Sequence, residues 1–107
     1  MVVNKSEIWL VELDPTRGSE IKKTRPGVII SPNQMNNNIN TVIIAPMTTK
    51  HNNFPTRVEI FFEGKFGQIA LDQIRTIDKS RLIKKIGKVD KIIQNQITKT
   101  LIELFSE

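Results

Sequence analysis

Proline and glycine cut this chain into short pieces, and that punctuation constrains its fold more than any other feature. Ser6 to Leu13 (Ser-Glu-Ile-Trp-Leu-Val-Glu-Leu) is a short run rich in strand formers. It stops at Asp14-Pro15, where proline cannot donate to a ladder. Gly27-Val28-Ile29-Ile30 is closed by Ser31-Pro32, and Thr41-Val42-Ile43-Ile44-Ala45 by Pro46. Unbroken apolar runs of this kind suit strands buried on both faces. Arg57 to Phe62 alternates, placing Val58, Ile60 and Phe62 on one face. Gly64 and Gly67 bracket a tight connection into a further strand, Gln68-Ile69-Ala70-Leu71, and Arg81 to Val89 reads as a last strand through Leu82, Ile83 and Ile86. Thr16 to Thr24 and Asn33 to Asn40 are polar and read as loops, the second with one helical turn around Gln34 and Met35.

Only the end of the chain changes period. Asp90 can cap a helix by accepting from free first-turn amides. After it Ile92, Ile93, Ile97, Leu101, Leu104 and Phe105 recur at helical spacing, with Lys91, Asn95 and Lys99 off the stripe. The polar side is not strongly cationic, so the stripe reads as core or subunit contact rather than a membrane-binding face. Short strands followed by one helix predict a mainly β, α+β domain spanning residues 1–107, a small twisted sheet or half-open barrel partly covered by the C-terminal helix.

Composition narrows the chemistry. A chain that is 38% hydrophobic and 25% charged has ordinary globular composition. Cysteine is absent, which excludes disulfides, thiolate ligands and a cysteine nucleophile and fits a reducing compartment. His51 is the single histidine, and no carboxylates have the spacing of a metal site, so no metal is expected. No apolar run is long enough to span a membrane, and Met1 to Glu7 has no signal-like apolar stretch, which makes the cytoplasm the expected compartment. The formal charge of +5 favours polyanions through phosphate contacts and counterion release. Arg17, Lys22, Lys23 and Arg25 share one segment opposed only by Glu20; a second basic stretch runs from Arg75 through Lys79, Arg81, Lys84, Lys85 and Lys88 to Lys91. The second stretch is either a polyanion surface or solvated lysine.

No nucleotide-binding glycine loop, zinc-protease pair or nucleophile elbow is present. Arg25 stands between Thr24 and Pro26 at the mouth of a buried run. Pro26 biases it towards extended backbone, and a guanidinium held there can grip phosphate with two parallel hydrogen bonds. The alternative is a surface arginine that marks a strand start. Thr48-Thr49 stands in the same relation to the next run, either holding phosphate oxygens or capping a turn.

Four blocks in order carry a resemblance: Glu7-Ile8-Trp9-Leu10-Val11 leading to Leu13-Asp14-Pro15-Thr16; Gly18-Ser19-Glu20 followed by Thr24-Arg25-Pro26; Pro46-Met47-Thr48-Thr49; and Leu71-Asp72-Gln73-Ile74-Arg75-Thr76-Ile77-Asp78. Together they resemble the MazF/PemK/Kid toxin family across nearly the whole chain. The resemblance implies a small SH3-like barrel, a homodimer, and growth arrest by sequence-selective cutting of single-stranded messenger RNA without metal or cofactor. It also implies a cognate antitoxin whose flexible tail occupies the RNA groove. By motif, Arg25 matches the catalytic arginine and Thr48 the catalytic threonine, while Ser19 and Glu20 fall in the lid loop. Thr49, Lys50, Asp72 and Gln73 are the further RNA-binding candidates, with Asn52, Asn53 and Phe54 suited in kind to unstacked bases. Phe54 beside Pro55 reads equally as an apolar anchor. Some members carry a histidine where this chain has Ser19 and an arginine where it has Ala70, so the base–acid scheme of those members does not transfer whole. The competing readings are a toxin of the same fold that binds a protein such as DNA gyrase, a non-catalytic RNA-binding module and a structural subunit.

Overall fold

The structure, a computed structural model, describes residues 1–107. Seven strands form: β1 (Glu7–Glu12), β2 (Thr24–Ile29), β3 (Thr41–Thr48), β4 (Arg57–Phe62), β5 (Lys65–Ala70), β6 (Arg75–Asp78) and β7 (Leu82–Lys88). A one-turn helix α1 (Asn33–Asn36) follows β2, and α2 (Lys91–Phe105) closes the chain. All pairings are antiparallel, in the order β4-β5-β3-β2-β1-β7 with β6 also against β3. This is the mainly β, half-barrel sheet with a C-terminal helix that the punctuation predicts.

β3 belongs to two sheets. Along one edge Ile44–Pro46 pair with β2; along the other, Thr41–Ile44 pair with β6 and Met47–Thr48 with β5. The point where β2 drops away has a chemical cause. The Ile30 amide donates to the Ile43 carbonyl (3.0 Å), which fixes the phase of the ladder. In an antiparallel ladder every second opposed pair is hydrogen-bonded, here Val28 with Ala45 and then Pro26 with Met47. Pro26 has no N–H, so the ladder ends, its last register pair being Gly27 with Pro46. On the opposite flank, the three residues Leu71–Gln73 coil into a 3₁₀ turn between β5 and β6, burying Leu71 and turning Asp72 out of the ladder.

Alternation splits the core. Trp9, Val11, Ile29, Val42 and Ile44 fill one face of the curled sheet, while Ile8, Val28, Met47, Ile69 and Ile97 pack on the other under α2. Asp90 caps α2 through its carboxylate, which accepts from the Ile93 amide (2.9 Å). Ile93, Ile97 and Leu101 face inward. Ile92, Leu104 and Phe105, expected on the same stripe, are exposed. Adjacent helical residues lie about 100° apart, so Ile92 cannot share the face of Ile93.

Several boundaries differ from the sequence expectation. β2 starts at Thr24, because Thr24, Arg25 and Pro26 pair with Glu12, Val11 and Leu10 of β1. The β4–β5 turn is Glu63-Gly64, both at positive φ (50° and 76°), as two-residue hairpins of right-handed twist require. Gly67 lies inside β5, Leu71 has left it, and Pro46, expected to end a run, lies inside β3, where its missing N–H falls between the β6 pairing that stops at Ile44 and the β5 pairing that starts at Met47. β6 has no counterpart among the expected runs.

Glu7 ties β1 to β7. Its buried carboxylate accepts from Lys85 Nζ (2.9 Å), Trp9 Nε1 (3.1 Å) and the Asn4 amide (2.8 Å). Burial alone would raise its pKa; these donors outweigh it and lower the pKa from 4.5 to about 2. A carboxyl depressed in the folded state stabilises fully above its unfolded value and loses that contribution as pH falls through the folded one. Unfolding free energy should therefore drop by about 3 kcal/mol between roughly pH 4.5 and 2 on account of Glu7. Glu7→Gln should be less stable at pH 7 and lack that part of the acid slope, as urea titrations across this range would measure.

Candidate active site

Where Pro26 ends the β2–β3 ladder, a cleft of about 320 Å³ opens, lined by Arg25, Thr48, Thr49, Lys65, Phe66 and Gly67 among others. The two catalytic candidates thus come together from different strands. Arg25 is half-buried; its Nε donates to the Lys22 carbonyl (3.3 Å), and it belongs to none of the ion pairs of the structure. Its remaining N–H groups are available to an anion. Thr48 Oγ1 accepts from the Lys50 amide (3.1 Å), which leaves the hydroxyl hydrogen to donate. A Cβ at Gly67 would lie 2.9 Å from the Thr48 carbonyl oxygen, so only glycine allows β5 to press this closely on that residue.

A second cleft of about 210 Å³ contains Glu20, Ile21, Pro46, Asp72, Gln73 and Arg75. Pro46 stands two residues before Thr48 on β3, so the clefts occupy neighbouring stretches of one strand. Gln73 tethers the β1–β2 loop: its Oε1 accepts from the Ile21 amide (2.7 Å) and its Nε2 donates to the Ser19 carbonyl (3.4 Å). Glu20 closes the loop on itself by accepting from the Arg17 amide (2.5 Å). Ser19 and Lys50 are exposed beside the clefts rather than lining them.

Asp72 has a defined partner. Arg57 Nε and Nη2 donate to its two carboxylate oxygens (2.7 and 3.2 Å), and Thr56 Oγ1 adds a third bond (3.2 Å). Partial burial would raise this carboxyl, but the Arg57 fork holds it below the usual carboxylate value. Arg57 stands directly across the sheet from Ala70, so an arginine reaches this aspartate from the neighbouring strand although position 70 carries none.

Gln68 is the residue that sequence reasoning missed. It is 2% exposed and opposes Thr48 across the β3–β5 pair. Its Oε1 accepts from the Asn52 amide (3.0 Å), and its Nε2 lies within 2.9 Å of the Asn52 carbonyl, Glu59 Oε1 and His51 Nδ1. An amide has two hydrogens, so two of these acceptors are served at a time. His51 completes the arrangement through Nε2 and Asn53 Oδ1 (3.1 Å). The β3–β4 loop that begins at Thr48 is thereby fastened to β5, while Phe54 stays exposed with Arg57 5.6 Å over its ring. The available signal was a glutamine at the head of the apolar run Ile69-Ala70-Leu71.

Much of the second basic stretch has structural work. Arg75 donates to the Leu13 carbonyl, Arg81 to those of Glu12 and Asp14, Lys79 to that of Asn36, and Lys85 pairs with Glu7. No three His, Cys, Asp or Glu side chains converge as a metal-holding group, and no helix is long and apolar enough to cross a membrane.

Gln68→Leu keeps the volume and removes the clamp. Leaving the Asn52 groups without their partner should cost about 1–3 kcal/mol. The Asn52 amide should exchange with solvent much faster in hydrogen–deuterium exchange, while amides of β1 and β2 keep their protection.

Comparison with known proteins agrees with this fold. Residues 4–105 match the model of the PemK-like, MazF-like toxins of type II toxin–antitoxin systems. Endoribonuclease PemK of Escherichia coli is 34% identical, over 89% of this chain and 76% of its own length. MazF from Deinococcus radiodurans superposes with a TM-score of 0.87 at 20% identity, covering 100% of this chain and 99% of that one. An endoribonuclease from a mycobacterial species, solved in complex with its cognate antitoxin, superposes with a TM-score of 0.80 at 22% identity, covering 94% of this chain and 92% of that one.

Proposed function

The chain belongs to the family of PemK-like, MazF-like toxins of type II toxin–antitoxin systems, and on that premise we propose that it is a growth-arresting endoribonuclease that cuts single-stranded messenger RNA at selected sequences. The observation that carries this reading is the meeting of Arg25 and Thr48 in one cleft, with the guanidinium outside every ion pair.

RNA supplies its own nucleophile, so the protein needs no serine or cysteine. The 2′-oxygen attacks the adjacent phosphorus and the bond to the 5′-oxygen breaks. The products are a 2′,3′-cyclic phosphate and a 5′-hydroxyl; the proton lost by the 2′-hydroxyl leaves to a base and one reaches the departing oxygen. Negative charge grows on the non-bridging oxygens as the new bond forms. Donors already aimed there stabilise it without reorganising. Arg25 supplies charge and two parallel donors, and Thr48 a hydroxyl donor. A guanidinium gives up its proton very reluctantly, so the role of Arg25 is electrostatic.

Ser19, Glu20, Asp72 and Gln73 flank the second cleft and bind nucleotides beside the cut; Thr49 and Lys50 serve the first cleft. Asp72 is a weak proton acceptor, since Arg57 holds its carboxyl below the ordinary value. Glu20, the other carboxylate of that cleft, takes part in no ion pair and is the remaining candidate for the base. Family membership brings a cognate antitoxin as partner, a homodimer and action in the cytoplasm, where messenger RNA is found. Exposed Ile92, Ile102 and Phe105 of α2 offer apolar surface to a second copy.

Purified protein incubated with a long single-stranded RNA in EDTA should give discrete fragments with cyclic-phosphate ends. Arg25→Ala and Thr48→Ala should each slow cutting by about 10²–10³-fold, the usual loss for one oxyanion donor, with unchanged melting temperature. Wild-type rates in both variants would sink the site assignment, and strict Mg²⁺ dependence would remove the mechanism. No cutting of any RNA would favour a protein target instead.

A further inference from the structure

The β4–β5 hairpin carries an aromatic pair that neither the core nor the catalytic residues explain. Phe61 and Phe66 oppose each other across the hairpin, with ring centroids 4.6 Å apart and planes tilted by 48°. They are 60% and 81% exposed, whereas Phe62, one residue away on the other face, packs into the core. Two large rings left on a strand surface lose apolar burial that Phe62 obtains, and stay available to another molecule.

Their position follows from register. Directly opposed residues of an antiparallel pair project from the same face, and so do residues two apart on one strand. Thr48 opposes Gln68, Gln68 is two residues from Phe66, and Phe66 opposes Phe61. Thr48, Phe66 and Phe61 therefore share one face, with Phe66 about 7 Å along β5 from the residue opposite Thr48. Phe66 also lines the Arg25–Thr48 cleft. Gly67, next to Phe66, lets β5 lie close against the Thr48 carbonyl, which a Cβ there would meet at 2.9 Å.

We propose that Phe66, backed by Phe61, is a base-stacking platform that receives an unstacked nucleotide next to the phosphate held by Arg25 and Thr48. The occupant is single-stranded RNA rather than a peptide because the platform is continuous with the cleft that holds an unpaired guanidinium and Lys65, and one nucleotide step spans the separation. Rings on a rigid hairpin accept any base face, so the platform adds affinity and orients the chain. It leaves the choice of sequence to the polar groups of the loops. Its inclination is fixed by the type of turn at Glu63-Gly64, which holds the two strands in a single register. The inference rests on the RNA-cutting reading for its substrate.

The test separates the two. A random-sequence oligonucleotide of about 12 nucleotides with 2′-fluoro sugars cannot be cut, so its binding, followed by fluorescence anisotropy, is independent of catalysis. Phe66→Ala should weaken binding about tenfold. Phe66→Leu, apolar but without a π-face, should weaken it nearly as much, and Phe66→Trp should restore it. Replacing the bases by abasic units should erase the difference between wild type and Phe66→Ala. On cuttable RNA, KM should rise in Phe66→Ala. Equal affinity of wild type, Phe66→Ala and Phe66→Leu would overturn the proposal. So would full rescue by leucine, which would mean an apolar anchor, or conversion of a dimer to a monomer by Phe66→Ala on size-exclusion chromatography, which would mean a subunit contact. A Phe66-dependent affinity in a protein that cuts no RNA would uphold the platform and remove the nuclease reading alone.

Discussion

One missing hydrogen bond organises this molecule. Pro26 stands where the phase of the β2–β3 ladder requires an amide hydrogen, and it has none. β3 cannot stay paired with β2 beyond that point, so its last residues are held by β5 alone. The separation leaves the start of β2 and the end of β3 facing each other across open space, and these positions carry Arg25 and Thr48. The cleft is thus written into backbone chemistry before any side chain is considered. The residues that would do chemistry are anchored on strands, which are more rigid supports than loops.

Around that gap the fold spends polar interactions on holding loops still. Gln68 fastens the loop after Thr48, Gln73 the loop before Arg25, and the Arg57–Asp72 fork locks the turn between β5 and β6. Each clamp starts from a strand or strand-flanking turn and ends on loop backbone or a loop side chain. Charge follows the same division. Basic groups of the second stretch are used internally, as Arg75, Arg81 and Lys85 are, whereas Arg25 is left without a carboxylate. The net positive charge of +5 then favours polyanions broadly, and on the proposed reading the unpaired arginine is where RNA would be gripped.

What the sequence could convey depended on the range of the interaction. Prolines 15 and 32 end runs locally, and the Asp90 cap and the Ile93–Ile97–Leu101 spacing concern neighbours, so most strands and the helix were legible, whereas Pro46 does not end its run. Arg25 was legible because Pro26 adjoins it. Contacts between residues far apart in the chain were not. Nothing in the string says that Gln68 meets Asn52, or that Arg57 reaches Asp72 in place of an arginine at position 70. β6 escaped notice because Arg75–Asp78 has only Ile77 buried and gains its strand character from β3. Gly67 looked like a turn residue, since a glycine demanded by a neighbour's carbonyl reads the same as one demanded by a bend.

The tether made by Gln73 has a consequence for the timing of any encounter. The Ile21 amide and the Ser19 carbonyl hold the β1–β2 loop through one side chain that itself sits beside the second cleft. A visitor to that cleft meets the latch and the loop together. If it offers Gln73 an acceptor and a donor of its own, the loop is released by exchange of partners rather than by rupture, and the barrier is that of a swap. Gln73 thus belongs at once to the wall of the second cleft and to the anchorage of the loop beside it, and it is placed by the same three-residue turn that interrupts the sheet.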